Sequence, residues 1–247
     1  MENKQGVVLV VGAGDYIGSA IARRFASEGH PVCVGRRNEG KLAPLVETIR
    51  KSGGTVHPLR FDARDEDLVV DRFAYIEAEI GALEAVIFNI GGNVNFPLAE
   101  TTARVFRKVW ELCCFAGFLT GREAAKHMVP RGAGSIFFTG ATASLRGGDG
   151  YSAFASGKFA LRALAQSMAR ELGPRGIHVA HLIIDAGVDT EWVRERIRET
   201  QGIDPDTLPE DTLMNPESVA HAYWTLHQQA RDAWTFELDL RPFGESW

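Results

Sequence analysis

Three glycines near the start of the sequence could let the backbone approach a bound phosphate group. Gly12, Gly14 and Gly18 follow the apolar run at 7–11 and precede a helix pattern. A glycine turn lets the backbone approach a phosphate closely, and the free N–H groups at the start of the next helix attract negative charge. This order of strand, turn and helix predicts a dinucleotide site, although a glycine turn alone is a weak motif.

Strand and helix patterns that would position this turn alternate along the chain. Strand patterns cover residues 7–11, 31–35, 55–61, 85–89, 135–139, 178–184 and 234–240. Helix patterns cover residues 17–28, 41–51, 66–80, 103–128, 153–172 and 216–230. Mostly apolar strands joined by helices form a parallel sheet that is covered on both faces. The sequence therefore predicts an α/β fold with a doubly wound parallel sheet of about seven strands.

Composition and charge narrow the classes of partner. The chain has 247 residues, of which 45% are hydrophobic and 24% charged, and its formal net charge is -5. We expect one domain over residues 1–247, and the acidic balance favours a small-molecule partner over nucleic acid. No apolar run approaches the roughly 18 residues of a membrane span, and no signal-peptide pattern is present. These features predict no membrane partner and a cytoplasmic location.

Neither cysteines nor histidines show the spacing of a disulfide framework or a metal site. Cys33, Cys113 and Cys114 are too few and too unevenly spaced for paired disulfides, which fits a reducing compartment. The seven histidines share no metal-ligand spacing on one helix face, so we expect no metal. His221 and His227 are expected at the surface.

One segment differs from its surroundings in composition. Residues 187–214 are charged and rich in Glu and Arg, and they lie between the sixth strand and the last helix. At the carboxyl edge of a parallel sheet, such an insertion is typical of a substrate lid. A solvated pair of helices is the alternative.

Several motifs in a fixed order resemble the short-chain dehydrogenase/reductase family over essentially the whole chain. After the glycine turn come Asp62, Asn89-Ile90-Gly91 and Phe154-Ala155-Ser156-Gly157-Lys158. Further along stand Glu171-Leu172-Gly173-Pro174-Arg175-Gly176-Ile177-His178-Val179 and Asp189-Thr190. The resemblance implies a single Rossmann-type domain, an oxidoreductase with a nicotinamide dinucleotide, and assembly as a homodimer or homotetramer.

The resemblance also implies how the dinucleotide is held. Gly12 and Gly18 take the outer glycine positions of the family's GxxxGxG turn, and Tyr16 takes the middle one, where a bulky side chain would shift or block the pyrophosphate. Asp62 resembles the adenine contact, and Asn89 with Gly91 resembles the segment beside the adenosine ribose, with plain turn chemistry at a strand end as the alternative for each. The implied cofactor-binding residues are Gly12, Gly14, Tyr16, Ile17, Gly18, Arg36, Arg37, Asp62, Ala63, Asn89, Gly91, Lys158 and Thr190.

Two arginines after the second strand bear on the choice between NAD and NADP. A relative that prefers NAD carries an acid there, which bonds the ribose 2′-hydroxyl and repels a 2′-phosphate. Arg36 and Arg37 could instead clamp that phosphate with several N–H donors, so NADP is favoured over NAD. Asp15 argues the other way, because a basic residue often stands there in relatives that prefer NADP. A solvated surface pair is the alternative for the two arginines.

The family's four catalytic positions hold mostly other residues in this chain. The Y-x-x-x-K pattern begins with Phe154 and ends with Lys158, the serine position falls on Ala141, and the asparagine position falls on Cys114. In typical members the tyrosine is the general acid/base beside the lysine, and the serine hydrogen-bonds the substrate oxygen. Only Lys158 remains of the four.

Three explanations follow from these replacements. In the first, hydride transfer to a carbonyl or from an alcohol continues with displaced groups, for which Tyr151 and Thr142 are candidates beside Lys158. Tyr151 is equally well interpreted as a partly buried tyrosine with a satisfied hydroxyl. In the second, the protein binds a dinucleotide and acts as a sensor or scaffold. In the third, the enzyme has another reaction class in which Cys114 or a substrate group supplies the chemistry, although a cysteine in a core helix is more often a small hydrophobe.

Two later segments contain candidates for a catalytic role and for a contact between subunits. Asp185, after the sixth strand, is interpreted as a replacement acid/base or as a helix cap. At the end of the chain, Arg241, Phe243 and Trp247 are candidates for contact with a neighbouring subunit.

Overall fold

The computed structural model of the protein describes residues 5–245. All seven strand patterns form strands in it. The strands are β1 (Val7–Val11), β2 (Val32–Arg36), β3 (Val56–Arg60), β4 (Leu83–Phe88), β5 (Gly134–Thr139), β6 (Ile177–Ile184) and β7 (Glu237–Leu240). Within the described range they form one parallel sheet in the order β3-β2-β1-β4-β5-β6-β7. The predicted Rossmann-type fold is confirmed.

The strand order reverses between β1 and β4, and this reversal creates the crevice in which such sheets bind ligands. Val11, the last residue of β1, is level with Gly35 on one side and with Phe88 on the other. Gly12 and Asn89 therefore leave the sheet side by side. The predicted glycine turn thus opens onto the crevice.

Both faces of the sheet are buried, which explains why the strands are continuous apolar runs. Val8 and Val10 of β1 belong to a core cluster with Phe25 on one face. Val7 and Val11 belong to the cluster on the other face. Because successive side chains of a strand alternate between faces, an all-apolar strand needs helices on both sides.

The helices are α1 (Ile17–Ser27), α2 (Ala43–Lys51), α3 (Glu66–Tyr75), α4 (Ala103–Trp110), α5 (Ala116–Met128), α6 (Ser152–Leu172), α7 (Glu191–Gln201) and α8 (Pro216–His227). The pattern at 103–128 predicted one α-helix, but a π-helical turn, Glu111–Phe115, separates α4 from α5. Such turns insert an extra residue into the helix and occur often at functional sites. Among residues 5–245, no helix is long and apolar enough to cross a membrane.

The charged segment at 187–214 contains one helix, α7, and a short 3-10 turn, Pro205–Thr207. Val188 and Met214 pair through an isolated β-bridge that closes the base of the segment. The predicted pair of helices is therefore a single helix with a return loop. Trp192, Val193 and Arg196 of α7 line the crevice at the carboxyl edge of the sheet.

Candidate active site

The glycine turn is shaped by contacts that exclude side chains at two of its positions. Gly12 has a φ of +88°, and a Cβ there would lie 2.5 Å from the carbonyl oxygen of Asn89. A Cβ on Gly18 would collide with the carbonyl oxygen of Gly12. A Cβ on Gly14, by contrast, would have no neighbour within 4 Å. The turn is closely packed on the protein side and open at Gly14, so the backbone there fits a pyrophosphate.

Tyr16 extends from the turn to the segment across the crevice. Its side chain is 39% exposed, and its hydroxyl accepts a hydrogen bond of 3.0 Å from the backbone N–H of Glu191. That N–H belongs to the first turn of α7, where donors have no partner within the helix. Tyr16 therefore ties the glycine turn to α7, and Ile17 beside it also lines the cleft.

A cavity of about 220 Å³ lies between the ends of β1, β2 and β4, where the adenosine half of a dinucleotide is expected. Arg36 and Arg37 both line it. The guanidinium of Arg36 donates to Asp15 at 2.7 Å and lowers the pKa of that carboxyl. Arg37 forms no hydrogen bond within residues 5–245. The sequence predicted the same role for both arginines, but in the structure only Arg36 is paired with an acidic side chain.

Asp62 and Ala63 line the same cavity. Arg64 holds the Asp62 carboxylate through both oxygens, from Nε to Oδ1 at 3.0 Å and from a terminal nitrogen to Oδ2 at 2.7 Å. These hydrogen bonds lower the pKa of Asp62. The sequence did not identify Arg64. The signal that could have indicated its ion pair with Asp62 is their separation of two residues.

Asn89 connects the glycine turn to the sheet through a network of hydrogen bonds. Its amide Nδ2 donates to the Gly12 carbonyl at 3.1 Å, and its Oδ1 accepts from the Thr139 hydroxyl at 3.1 Å. The Thr139 oxygen also lies 2.7 Å from the Tyr223 hydroxyl. Because the single hydrogen of Thr139 goes to Asn89, Tyr223 donates to Thr139. This chain of bonds fixes the relative positions of β1, β4 and β5 at the site.

Lys158 lies at the floor of the cleft and is almost fully buried. Its Nζ donates to the carbonyl oxygens of Ile90 at 3.1 Å and Thr139 at 2.8 Å. Burial lowers the pKa of the ammonium. The ring of Phe154 has its centroid 6.0 Å from Nζ, and a Cβ on Gly91 would lie 4.0 Å away. An ammonium has three donors, so one remains beyond the two carbonyls.

The three predicted catalytic residues, Lys158, Tyr151 and Thr142, line one cleft of about 720 Å³. Tyr151 directly precedes α6, and its ring centroid lies 6.5 Å from that of Phe154. Its hydroxyl accepts a hydrogen bond of 2.7 Å from Arg196 of α7 and makes none with Lys158. The sequence did not identify Arg196, whose partner is distant along the chain.

Asp185 caps no helix in the described chain, so that interpretation was wrong, whereas its role as a replacement acid/base stays a prediction. The residue is almost completely buried, and Arg146 holds both of its oxygens at 2.9 and 3.0 Å. Burial opposes ionisation, but bonds from Arg146 and Thr142 bring the net pKa below its usual range. Thr190 caps α7 instead, accepting from the Val193 N–H at 3.1 Å, and it also lines the cleft.

Of the residues near the end of the chain that were candidates for a subunit contact, one binds within the chain and one is exposed. Arg241 lies 2.7 Å from the Asp185 carboxylate, so its guanidinium is used within the chain. Phe243 is 94% exposed. Trp247 lies outside the described residues.

The π-helical turn contains two neighbouring cysteines that differ in burial. Cys113 is fully buried and packs against α6, where a Cβ on Gly157 would lie 2.9 Å from the Cys113 Cβ. Cys114 is only half-buried. Burial raises the pKa of both thiols, so neither is poised as a thiolate nucleophile.

A second polar cluster lies away from the cleft, at the amino end of β4. His30, Glu84 and His227 place one potential ligand atom each within 4.8 Å of one another. The side chain of His227 is only 10% exposed and lies 3.2 Å from Glu84, so its predicted surface position was wrong. Spacing on one helix could not reveal this cluster, because its members come from three separate elements.

Comparison with known proteins places these features in a family. Residues 6–201 match the family model described as short chain dehydrogenase. A short-chain dehydrogenase from Rhodopseudomonas palustris has a crystal structure with 53% identity and a TM-score of 0.82, covering 96% of this chain and 98% of that one. The 3beta-hydroxysteroid dehydrogenase of Mediterraneibacter gnavus is 30% identical over 94% of this chain and 88% of its own length.

A more distant structure shows the same fold. The alcohol dehydrogenase of the archaeon Thermococcus sibiricus, complexed with 5-hydroxy-NADP, has a TM-score of 0.83 at 23% identity. The match covers 98% of each chain. Together with the family match and the site geometry, these likenesses show that the chain belongs to the short chain dehydrogenase family of oxidoreductases.

Proposed function

We propose that the protein is an NADP(H)-dependent oxidoreductase that interconverts a carbonyl and an alcohol with Tyr151 as a displaced proton donor. The observation that carries this proposal is the single cleft that contains Lys158, Tyr151 and Thr142 beside the open glycine turn. A bound nicotinamide would supply or accept the hydride. The chain's own residues would hold the cofactor, orient the substrate oxygen and move the proton.

Three features support a dinucleotide cofactor, and the last two favour NADP over NAD. The open backbone at Gly14 and the free donors of α1 fit a pyrophosphate. Arg37 lines the adenosine cavity without a hydrogen-bonded partner in the described chain, so its guanidinium is available for a 2′-phosphate. NADP is also the ligand class of the Thermococcus sibiricus neighbour.

The hydrogen bond from Arg196 gives Tyr151 the right polarity for a proton donor. Arg196 donates to the hydroxyl oxygen, which leaves the hydroxyl's own hydrogen free for a substrate oxygen. The Thr142 hydroxyl hydrogen goes to Asp185, so Thr142 would instead accept a hydrogen bond from the alcohol form of the substrate. Lys158 would use its remaining donor on the nicotinamide ribose. Residues 187–214 would act as the lid, because α7 lines the cleft and contacts the glycine turn through Tyr16.

We also propose a homodimer or homotetramer formed through the helices of one face. Aromatic side chains of α4, α5 and α6 are about two-fifths exposed, namely Phe106, Trp110, Phe118 and Phe159. An exposed aromatic surface of this kind is typical of an interaction site.

The alternative is a dinucleotide sensor or scaffold, and one observation favours it. Phe154 is buried beside Lys158, so the position nearest the retained lysine has no proton donor. Losing a general acid commonly costs about 10²–10⁴ in rate. A protein with that loss and no replacement would bind cofactor without measurable turnover.

A panel of aldehydes and ketones, followed by loss of NADPH absorbance, separates these functions. The proposed enzyme shows slow reduction that saturates with one class of carbonyl compound. Binding of NADPH and of NADH is measured in parallel by calorimetry. Tight binding without turnover over the panel would favour the sensor, whereas no binding of either dinucleotide would reject both functions.

A further inference from the structure

The helix that lines the cleft carries three arginines, and one differs from the others. Arg194 is paired with the carboxylate of Asp189 at 2.5 Å, and Arg198 lies 3.6 Å from that of Glu191. Arg196, between them, forms no ion pair within residues 5–245. An arginine without a counter-charge inside a cleft is suited to bind an anion.

The guanidinium of Arg196 is held in place by aromatic rings. Its central carbon lies 5.9 Å from the Tyr151 ring centroid and 5.5 Å from that of Trp192. One of its nitrogens donates to the Tyr151 hydroxyl at 2.7 Å. A guanidinium has five N–H donors in a planar fork that matches a carboxylate, so most of its donors remain for a ligand. The side chain is therefore oriented in advance.

The other charges around the cleft already have partners. Arg146 is paired with Asp185, and Lys158 donates to two backbone carbonyls. Asp15 is paired with Arg36. Among the described cleft residues, Arg196 is thus the cation left for the anionic group of a substrate.

We infer that Arg196 binds the carboxylate of a short oxo acid. This inference rests on the proposed function, in which Tyr151 donates to the substrate carbonyl. Because the Arg196 nitrogen lies 2.7 Å from that same hydroxyl, the carboxylate must stand one or two carbons from the carbonyl. The substrates that fit are 2-oxo and 3-oxo acids and the corresponding hydroxy acids.

The reaction balances with the groups named. In the reducing direction the carbonyl carbon gains a hydride from NADPH, and the carbonyl oxygen gains the Tyr151 proton. The oxo acid becomes a hydroxy acid, NADPH becomes NADP⁺, and solvent returns a proton to Tyr151. Arg196 binds the carboxylate in both directions without changing its own protonation.

Calorimetric binding of two unreactive carboxylates to the full chain with bound NADPH tests this inference. Oxamate and malonate are the probes, and the neutral ethyl oxamate and malonamide are their controls. The anions should bind and the neutral compounds should not. Arg196→Gln should weaken anion binding about 10- to 100-fold, because it removes charge-assisted hydrogen bonds, and Arg196→Lys should weaken it less.

The matched control is Arg198→Gln, which removes an arginine from the same helix outside the cleft and should change anion binding less than about twofold. Equal binding of the neutral compounds, or equal effects of the two glutamine variants, would overturn the inference. NADPH affinity is measured for every variant. Loss of anion binding with intact NADPH affinity identifies Arg196 itself, whereas a chain that binds no NADPH would contradict the proposed function instead.

Discussion

At the scale of single residues, the cleft contains both Lys158, which the family pattern retains, and Tyr151, which we propose as the proton donor. Phe154 takes the place beside Lys158 where a hydroxyl would be expected, with its ring centroid 6.0 Å from Lys158 Nζ and 6.5 Å from the Tyr151 ring centroid. Tyr151 is oriented by Arg196 on α7. If Tyr151 is the proton donor, as we propose, its orientation depends on Arg196, so movement of α7 and proton transfer would be coupled.

The two arginines after β2 should contribute unequally to cofactor choice. We predict that Arg37→Ala weakens NADPH binding about tenfold and leaves NADH binding unchanged, because only NADPH carries the 2′-phosphate. Arg36→Ala should have a smaller effect, since Asp15 already neutralises Arg36. Fluorescence titration of both cofactors measures this. An equal loss for NADPH and NADH in Arg37→Ala would show that Arg37 does not contact the phosphate.

At the scale of elements, the sequence predicted what depends on local pattern. The strand at 7–11 and the turn that follows it were readable because apolar runs and glycines carry their structural meaning within a few residues. The pairs of Tyr151 with Arg196 and of Asp185 with Arg146 were not readable. They join residues about forty positions apart, and only the folded sheet edge brings them together.

The π-helical turn before α5 could not be predicted from the sequence, for a different reason. Its residues continue the apolar spacing of a long helix, so periodicity at 103–128 looks uninterrupted. The extra residue turns Cys113 toward α6 and leaves Cys114 at the side. A π-helical turn therefore interrupts the α-helix without interrupting the apolar pattern of the sequence.

The hydrogen bond between Tyr16 and α7 predicts how often α7, the proposed lid, opens. Tyr16→Phe removes the acceptor of the Glu191 N–H, so α7 should open more often while the sheet stays unchanged. Hydrogen exchange should become faster in peptides covering 187–203 and remain the same in β1. Tyr75→Phe, at an exposed tyrosine on α3, is the control. Unchanged exchange in α7 would mean that the hydroxyl does not hold the lid.

At the scale of the whole molecule, a buried histidine links stability to pH. Burial and then the Lys158 ammonium lower the pKa of His181 to about 4. The unfolded chain, with a histidine pKa near ~6.5, binds more protons than the folded chain between these values. The free energy of unfolding should therefore fall as the pH drops from about 6.5 to 4, with His181 contributing up to ~3 kcal/mol.

Urea unfolding at pH 7, 6 and 5 measures this dependence, with His181→Gln as the comparison. The variant should lose less stability than the original chain over the same pH range, because its side chain does not titrate. His178 and other groups contribute equally to both proteins. Parallel pH dependence in the two proteins would show that His181 is not the group responsible.

The central claim is that Tyr151 delivers the proton, and Tyr151→Phe tests it most directly. The measurement is kcat/KM for NADPH-dependent reduction of the best carbonyl compound, with the NADPH dissociation constant determined for the same sample. We predict a fall of about 10²–10⁴ in kcat/KM with cofactor affinity unchanged. A variant that keeps the original rate would contradict the account and show that another group protonates the substrate.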